Sequence, residues 1–342
     1  MNSLGLNLQT GDKIFEIIQD IQNQKKYELD YQFNLQSRCY YLDCDCSEEY
    51  LLMTTAKGIT ILKHGYDISI YAEKPHLSIH QSKWLPIDPS VFFTISSNEI
   101  KLWDSNTLIP ISSFLLTESF IIEPHIGDKP LIIVCEQNTT TIKDYRTWES
   151  IGSLNAETSC VKWSPYDHEY FITGSSTELK LFDLRKLRQP VCSFGFPDTS
   201  QVRKKTKFAL ETNAYDSFFV STTKNTFNSN LISIDFSEDG RYLLVMITDE
   251  VFCIDMLHGY DLPKKVLNYH SNFRPFGDFV RYTKGGAILG IANKLIAFNQ
   301  NYNAMQELYF QSNIVGAYEI RTEEFLYVVD REGKLSRWSL CI

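Results

Sequence analysis

The sequence lacks the short motifs by which most metal-binding, nucleotide-binding and catalytic sites are recognised. It contains no HExxH or HxH pair, no CxxC, no GxxxxGK followed by Ser or Thr, and no GxGxxG. Such motifs hold zinc ligands or phosphate-binding backbone amides at fixed spacings. We therefore predict no metal site, no cofactor and no catalytic residues, and a protein that works by binding other proteins.

Long apolar runs are also missing. No run approaches the roughly 18 residues of a membrane-spanning helix, and no charged and then apolar leader opens the chain. We predict neither a membrane span nor a secretory signal. The eight cysteines are scattered along the chain, which favours a reduced compartment, the cytosol or the nucleus.

Positive charge is scarce. The chain has 33 Lys and Arg against 42 Asp and Glu, a formal net charge of −9. Phosphate contacts need clustered cations, so we predict no direct nucleic-acid binding. The one basic cluster, RKKTK at 203–207, has the composition of a localisation signal or a nucleic-acid patch, but four cations in a polar stretch are more typical of a solvated loop.

Helical periodicity is clear in one segment only, residues 12–26. Its apolar stripe consists of Ile14, Ile17, Ile18 and Ile21. Such a stripe either packs under its own domain or inserts into the groove of a partner, and we predict the second. Residues 1–29 are predicted to be an N-terminal helical docking segment, and residues 30–342 a β domain. The predicted docking residues of this segment are Leu4, Leu6, Ile14, Phe15, Ile17, Ile18 and Ile21.

The remainder of the chain is dominated by a repeat. WLPIDPSVFFTISSNEIKLWDSNTL from Trp84 aligns without a gap with WSPYDHEYFITGSSTELKLFDLRKL from Trp163, 79 residues later. This spacing is about twice the length of a four-stranded propeller blade. The repeat therefore predicts an all-β fold, a seven-bladed WD-repeat β-propeller.

Seven blades can be placed along the chain, near 37–72, 76–110, 118–152, 155–192, 230–262, 273–303 and 312–342. A strand around 30–36 is predicted to close the ring beside the last blade, because closure removes open sheet edges. Blade three is degenerate, with Tyr145 predicted in the place of Asp104 and Asp183. The polar stretch at 197–229 fits no blade and is predicted to be a long insertion.

Most repeated residues have structural roles. We expect Trp84, Trp103, Trp163 and Trp338 to pack between sheets, and Asp88 and Asp167 to form turns.

One repeated position indicates function. Phe182-Asp183-Leu184-Arg185 ends a strand of blade four. An arginine two residues beyond a strand-ending aspartate is predicted to project from the rim, where its planar guanidinium can hold a carbonyl or carboxylate of a partner.

The chain resembles the Cockayne syndrome A family of WD-repeat proteins. The likeness is carried by the two aligned segments, by the position of the long insertion after blade four, by the LLV-containing blade that follows it, and by the opening LNLQTG. It is clear in blades two, four and five and weak in blades three, six and seven, a pattern that fits a divergent orthologue or a paralogue. Phe182 stands where the family motif, WDxR, has tryptophan.

The resemblance implies a non-catalytic substrate receptor of a cullin-RING ubiquitin ligase, acting in the nucleus in transcription-coupled nucleotide excision repair. The implied partners are the damage-specific DNA-binding adaptor, a Cockayne syndrome B-type ATPase and RNA polymerase II. The adaptor would be held by the N-terminal segment together with Phe182, Asp183 and Arg185. The alternative is a WD-repeat scaffold of another nuclear complex, in chromatin modification or RNA processing. A propeller enzyme would need a cluster of carboxylates in the central channel.

Overall fold

The computed structural model describes most of the chain from residue 26 onward. The described ranges are 26–96, 98–116, 119–136, 139–154, 158–175, 178–195, 231–247, 250–256, 264–268, 278–284, 286–299 and 304–341. Every regular element within these ranges is a β strand. The described residues contain no helix long and apolar enough to cross a membrane.

After the first strand come six groups of four strands and a last group of three. They are β1 (Lys26–Asn34); β2 (Cys39–Cys44), β3 (Tyr50–Thr55), β4 (Gly58–Lys63) and β5 (Ser69–Pro75); β6 (Gln81–Leu85), β7 (Asp88–Ile95), β8 (Glu99–Asp104) and β9 (Pro110–Leu115); β10 (Ser119–Pro124), β11 (Leu131–Glu136), β12 (Thr140–Asp144) and β13 (Ser150–Leu154); β14 (Cys160–Trp163), β15 (Tyr170–Gly174), β16 (Glu178–Asp183) and β17 (Cys192–Gly195); β18 (Leu231–Phe236), β19 (Tyr242–Ile247), β20 (Glu250–Asp255) and β21 (Lys264–Asn268); β22 (Phe279–Thr283), β23 (Gly286–Ile291), β24 (Lys294–Asn299) and β25 (Ala304–Tyr309); β26 (Ile314–Ile320), β27 (Phe325–Asp330) and β28 (Lys334–Cys341).

These strands form seven four-stranded antiparallel sheets arranged as a ring, which confirms the seven-bladed propeller. Each of the first six blades is a simple meander of four consecutive strands, and their innermost strands contact one another around the axis. The blade order along the ring is therefore the order along the chain.

The seventh blade is built from both ends of the described chain. Its sheet has the order β1-β28-β27-β26, with Lys26 paired to Cys341 and Asn34 to Lys334. The closing strand thus begins four residues before the predicted domain boundary at residue 30. Residues 26–29 belong to the propeller, because their backbone groups complete the edge of the last blade.

The core is divided into seven apolar clusters, one between each pair of neighbouring blades. The second strand of each blade is buried on both faces, and its side chains alternate between two clusters. In β3, for example, Leu51 and Met53 pack against blade seven, whereas Leu52 packs against blade two.

The predicted structural roles of the repeated residues are confirmed where they are described. Trp84, Trp103 and Trp163 are buried between sheets, and Trp338 packs against the cluster between blades six and seven. Asp88 accepts the backbone N–H of Ser90 at 2.8 Å in a tight turn. The predicted N-terminal helix up to residue 25, the 197–229 insertion and the basic cluster at 203–207 lie outside the described residues.

Candidate protein-docking face

Strand connectivity decides which turns share a face of the ring. In a meander of four antiparallel strands, the turn between strands one and two and the turn between strands three and four lie on the same side. Arg185 follows the third strand of blade four, so we call this side the Arg185 face. The turn between strands two and three and the connections between blades lie on the opposite face.

The Phe182-Asp183-Arg185 segment is a preorganised turn on the Arg185 face. Phe182 is 4% exposed and stacks on Phe171 with ring centroids 5.5 Å apart. Asp183 accepts the backbone N–H of Arg185 at 2.9 Å. The guanidinium then folds back onto the same carboxylate, with Nε donating to Oδ1 at 2.8 Å and Nη2 to Oδ2 at 2.9 Å.

This pairing leaves Arg185 both oriented and accessible. Its side chain is 58% exposed, and Nη2 also donates to the hydroxyl of Tyr170 at 3.3 Å. Hydrogen bonds from Arg185 hold the pKa of Asp183 below its usual range, and Asp183 in turn raises the pKa of Arg185. The remaining N–H groups of the guanidinium stay open to a partner. Phe182 is buried beneath the turn, so it positions the turn and is not itself accessible to a partner.

A second turn of the same kind lies on the neighbouring blade. In blade three, Asp144 accepts the backbone N–H of Arg146 at 2.8 Å, and Arg146 Nη2 lies 3.0 Å from Asp144 Oδ2. The sequence prediction that Tyr145 occupies the aspartate position is wrong, since β12 ends on Asp144 as β16 ends on Asp183.

The two flanking blades vary this arrangement. In blade two, Asp104 accepts hydrogen bonds from the backbone N–H groups of Asn106 and Thr107 at 2.9 and 2.8 Å. The residue two positions after this aspartate is Asn106, where blades three and four have arginine. In blade five, Arg241 reaches the strand-ending Asp255 from a different turn, with Nη2 3.2 Å from Oδ2. Three consecutive blades therefore present an aspartate-bound arginine on the Arg185 face.

The first described residue also lies on the Arg185 face. Lys26 pairs with Cys341 at the end of the third strand of blade seven, which is the end that faces this side in every blade. The chain before Lys26 therefore joins the ring on the face that carries Arg185. The other predicted docking residues, Leu4, Leu6, Ile14, Phe15, Ile17, Ile18 and Ile21, lie outside the described residues.

Apolar side chains accompany the arginines on this face. Tyr66, Ile87, Ile109 and Tyr166 are exposed, and each lies in a turn of the Arg185 face. Exposed aromatic and aliphatic side chains interspersed with arginine are the composition of protein-binding surfaces.

The long insertion is connected to the other side of the ring. It leaves the fourth strand of blade four after Gly195 and returns at Leu231, the start of blade five. Both attachment points lie on the opposite face, because connections between blades lie there. The N-terminal segment and the insertion thus join different faces of the propeller.

The central channel does contain carboxylates, and it separates them from one another. Asp43, Glu123 and Asp235 come from blades one, three and five. Lys162 lies 3.5 Å from Glu123 and 3.7 Å from Asp235. Within the described ranges, no group of three or more His, Cys, Asp or Glu side chains is placed to hold a metal ion.

Comparison with known proteins leaves the family open. No protein-family model matches the chain, and no curated protein matches it. A seven-bladed propeller of this kind fits a WD-repeat scaffold or receptor in general, so the finer assignment is a proposal.

Proposed function

We propose that the chain is a non-catalytic substrate receptor of a cullin-RING ubiquitin ligase that acts in the nucleus, in transcription-coupled nucleotide excision repair. The proposal joins a general feature, the propeller scaffold, to a specific one, the adaptor-docking turn formed by Phe182, Asp183 and Arg185. The likeness to the Cockayne syndrome A family supplies the pathway.

The observation that carries the proposal is the placement of Arg185. Its guanidinium is held in one orientation by Asp183 and remains 58% exposed. It lies on the face to which the predicted N-terminal docking segment is attached through Lys26. One adaptor molecule can therefore contact the segment and the turn at the same time, and each contact strengthens the other through a high effective concentration.

The opposite face is then free for the target. In this arrangement the Arg185 face binds the damage-specific DNA-binding adaptor, and the opposite face meets a Cockayne syndrome B-type ATPase and RNA polymerase II. Recruitment to damaged DNA runs through these proteins, since a chain of net charge −9 repels phosphate.

The test is the affinity of the purified protein for the adaptor. Arg185→Ala should weaken binding at least about tenfold, because truncating one member of a charge-assisted contact at an interface raises the rate of dissociation. Arg188→Ala is the matched control, since Arg188 is an exposed arginine in the same turn. Arg146→Ala measures whether the second aspartate-bound arginine is part of the same footprint.

Equal affinity of the wild-type and Arg185→Ala proteins would refute the assignment of this turn. Failure of the wild-type protein to bind the adaptor at all would refute the ligase role. Recovery instead of a chromatin or RNA-processing complex, by affinity purification from nuclear extract with mass spectrometry, would favour the scaffold alternative.

A further inference from the structure

The central channel is lined by a ring of charges that alternate in sign. Each innermost strand contributes one residue at the same register. In six blades this residue is paired with the third residue of the second strand. In blade two the second strand begins earlier, and the equivalent pair is Lys83 with Phe93, two residues beyond Val91, which is paired with the strand-ending Asp104. In blade order the ring consists of Asp43, Lys83, Glu123, Lys162, Asp235, Arg281 and Tyr318. Blades one, three and five supply acids, and blades two, four and six supply cations.

An odd number of blades prevents the alternation from closing. An acid in blade seven would stand beside Asp43, and a cation would stand beside Arg281, so either choice places like charges together at short range. Tyr318 fills this position with a neutral phenol. The ring therefore has no net charge, but its order is broken at one place.

The two sides of the ring differ in how their charges are satisfied. On one side, ion pairs run from blade two to blade five, joining Lys83 to Glu123, Glu123 to Lys162, and Lys162 to Asp235. These acids and cations neutralise one another across three blade interfaces. The charges in this half of the ring are therefore satisfied without a ligand.

The other side, around Tyr318, leaves its charges unpaired. Arg281 lies over the ring of Tyr318, with its guanidinium carbon 5.3 Å from the ring centroid. The backbone of Arg281 is paired within its sheet, but its guanidinium has no hydrogen bond and no ion pair with a described residue. Asp43 accepts the backbone N–H of Trp84 at 2.9 Å and has no ion pair with a described side chain. Asp43 and Arg281 occupy the two ring positions on either side of Tyr318. Burial raises the pKa of Asp43, and Arg281 gives the largest opposing effect, ahead of Lys83 and Lys162.

Two phenols complete the surroundings of this space. Burial raises the pKa of Tyr41 and of Tyr318, so both are neutral phenols. Gln81 hydrogen-bonds to Tyr41, and the hydroxyl of Tyr318 has no described partner. A neutral phenol donates to an anion, and a guanidinium supplies planar donors that match a carboxylate.

We propose that this part of the channel binds a small zwitterion, whose carboxylate is held by Arg281 and Tyr318 and whose ammonium group is held by Asp43. A lone anion would leave Asp43 unpaired and give the channel a net negative charge. A lone cation would leave Arg281 unpaired and give the channel a net positive charge. A ligand with both groups satisfies both side chains and keeps the ring neutral, which is the requirement for burying charge.

The experiment titrates the full-length protein with amino acids of increasing spacer length: glycine, β-alanine, γ-aminobutyrate and ε-aminocaproate. Isothermal titration calorimetry measures the affinity, and butyrate and butylammonium serve as probes that carry one charge each. One spacer length should bind at least about tenfold more tightly than either single-charge probe, because it forms both contacts. No binding at millimolar concentration, or equal binding of butyrate, overturns the proposal.

Variants separate this site from the rest of the ring. Arg281→Gln and Asp43→Asn should each lower the affinity for the preferred zwitterion at least about tenfold. Asp43→Asn removes the charge but keeps an oxygen that can accept the N–H of Trp84, so the backbone contact is retained. Lys162→Gln removes a charge from the paired side and should change the affinity less than about threefold. Equal losses in the Arg281 and Lys162 variants overturn the assignment of Arg281.

Discussion

The seam between blades seven and one depends on Arg337, and replacing this residue should loosen the whole ring. Arg337 lies on β28, and its guanidinium binds Asp30 of the closing strand, with Nε 2.6 Å from Oδ2. It also donates to the backbone carbonyls of Gly65 and Tyr66 in blade one. One side chain thus ties the closing strand, the last blade and the first blade together.

The expected cost follows from the burial of the two partners. The Arg337 side chain is 7% exposed and that of Asp30 is 38% exposed. Removing one member of a fully buried ion pair costs about 3–5 kcal/mol, and water reaching Asp30 places the cost near the lower limit, about 3 kcal/mol. For a chain of this length the entropy of unfolding is about 0.7 kcal/mol per kelvin, so Tm should fall by about 4 °C.

The substitution is Arg337→Met, which keeps most of the buried volume. Differential scanning calorimetry gives the change in Tm, and limited proteolysis reports whether β1 (Lys26–Asn34) is cut sooner. Arg331→Met is the control, since Arg331 is exposed and lies in the same blade. Equal Tm values for the two variants, with no faster cleavage of β1, would show that this contact does not secure the ring.

Three further predictions concern the ends, the charge and the histidines. Removing residues 1–25 should leave a folded propeller, because the closing strand begins at Lys26, and under the proposed function the product should no longer bind the adaptor; loss of the β circular dichroism spectrum, loss of cooperative melting, or unchanged adaptor binding would contradict the prediction. The purified protein should not bind duplex DNA at physiological salt, since its net charge is −9; submicromolar binding with a steep salt dependence would mean that the cluster at 203–207 is a nucleic-acid arm. Burial lowers the pKa of His125, and its Nδ1 accepts the N–H of Gly127 at 3.0 Å, so His125 is neutral when folded and takes up a proton more readily when unfolded. Its contribution to the free energy of unfolding is therefore complete above the unfolded pKa of about 6.5 and is lost as pH falls below it. Urea unfolding at pH 7.5 and 5.0 should show this loss. A fall in the free energy of unfolding between the two pH values that is equally large in His125→Gln would contradict the role of this histidine.

The blade architecture was predictable because it rests on residues that recur at a fixed spacing. Two blades aligned without gaps, and this spacing alone implied four strands per repeat. The closing strand was harder to place, because Lys26–Asn34 is an edge strand with mostly exposed or half-buried side chains. Its alternation is weak, so the predicted strand began at residue 30.

The Asp144–Arg146 turn of blade three was not predicted because of one substitution. The residue before the strand-ending aspartate is Trp103 in blade two and Phe182 in blade four, but Lys143 in blade three. Lys143 is buried, and its ammonium lies 4.2 Å from the centroid of the Phe114 ring, where it takes the place of an aromatic neighbour. Without the aromatic marker, the alignment moved by one residue, and the Asp144–Arg146 pair was hidden.

The charge ring was beyond sequence analysis for a different reason. Its members are separated by tens of residues, and each alone is an ordinary polar residue in a strand. The pattern appears only when the innermost strands are superposed in register. Repeats are recognised from residues that recur from blade to blade. At this position neighbouring blades carry opposite charges, so the position does not stand out as part of the repeat.

The break in the ring and the seam of the chain occur in the same blade, and the contacts compensate for one another. Ion pairs join neighbouring blades at the axis from blade two to blade five, but not beside Tyr318 in blade seven. There the joining contacts lie farther out. Arg337 binds the carbonyl of Tyr66, and Glu48 accepts the backbone N–H of Arg321 at 3.0 Å. Because these outer contacts secure the seam, the charges of Arg281 and Asp43 are not needed to hold it and remain available to a ligand. Substituting Arg281 or Asp43 should therefore lower the affinity of the channel for its ligand and leave Tm nearly unchanged. Arg337→Met should lower Tm and leave this affinity nearly unchanged.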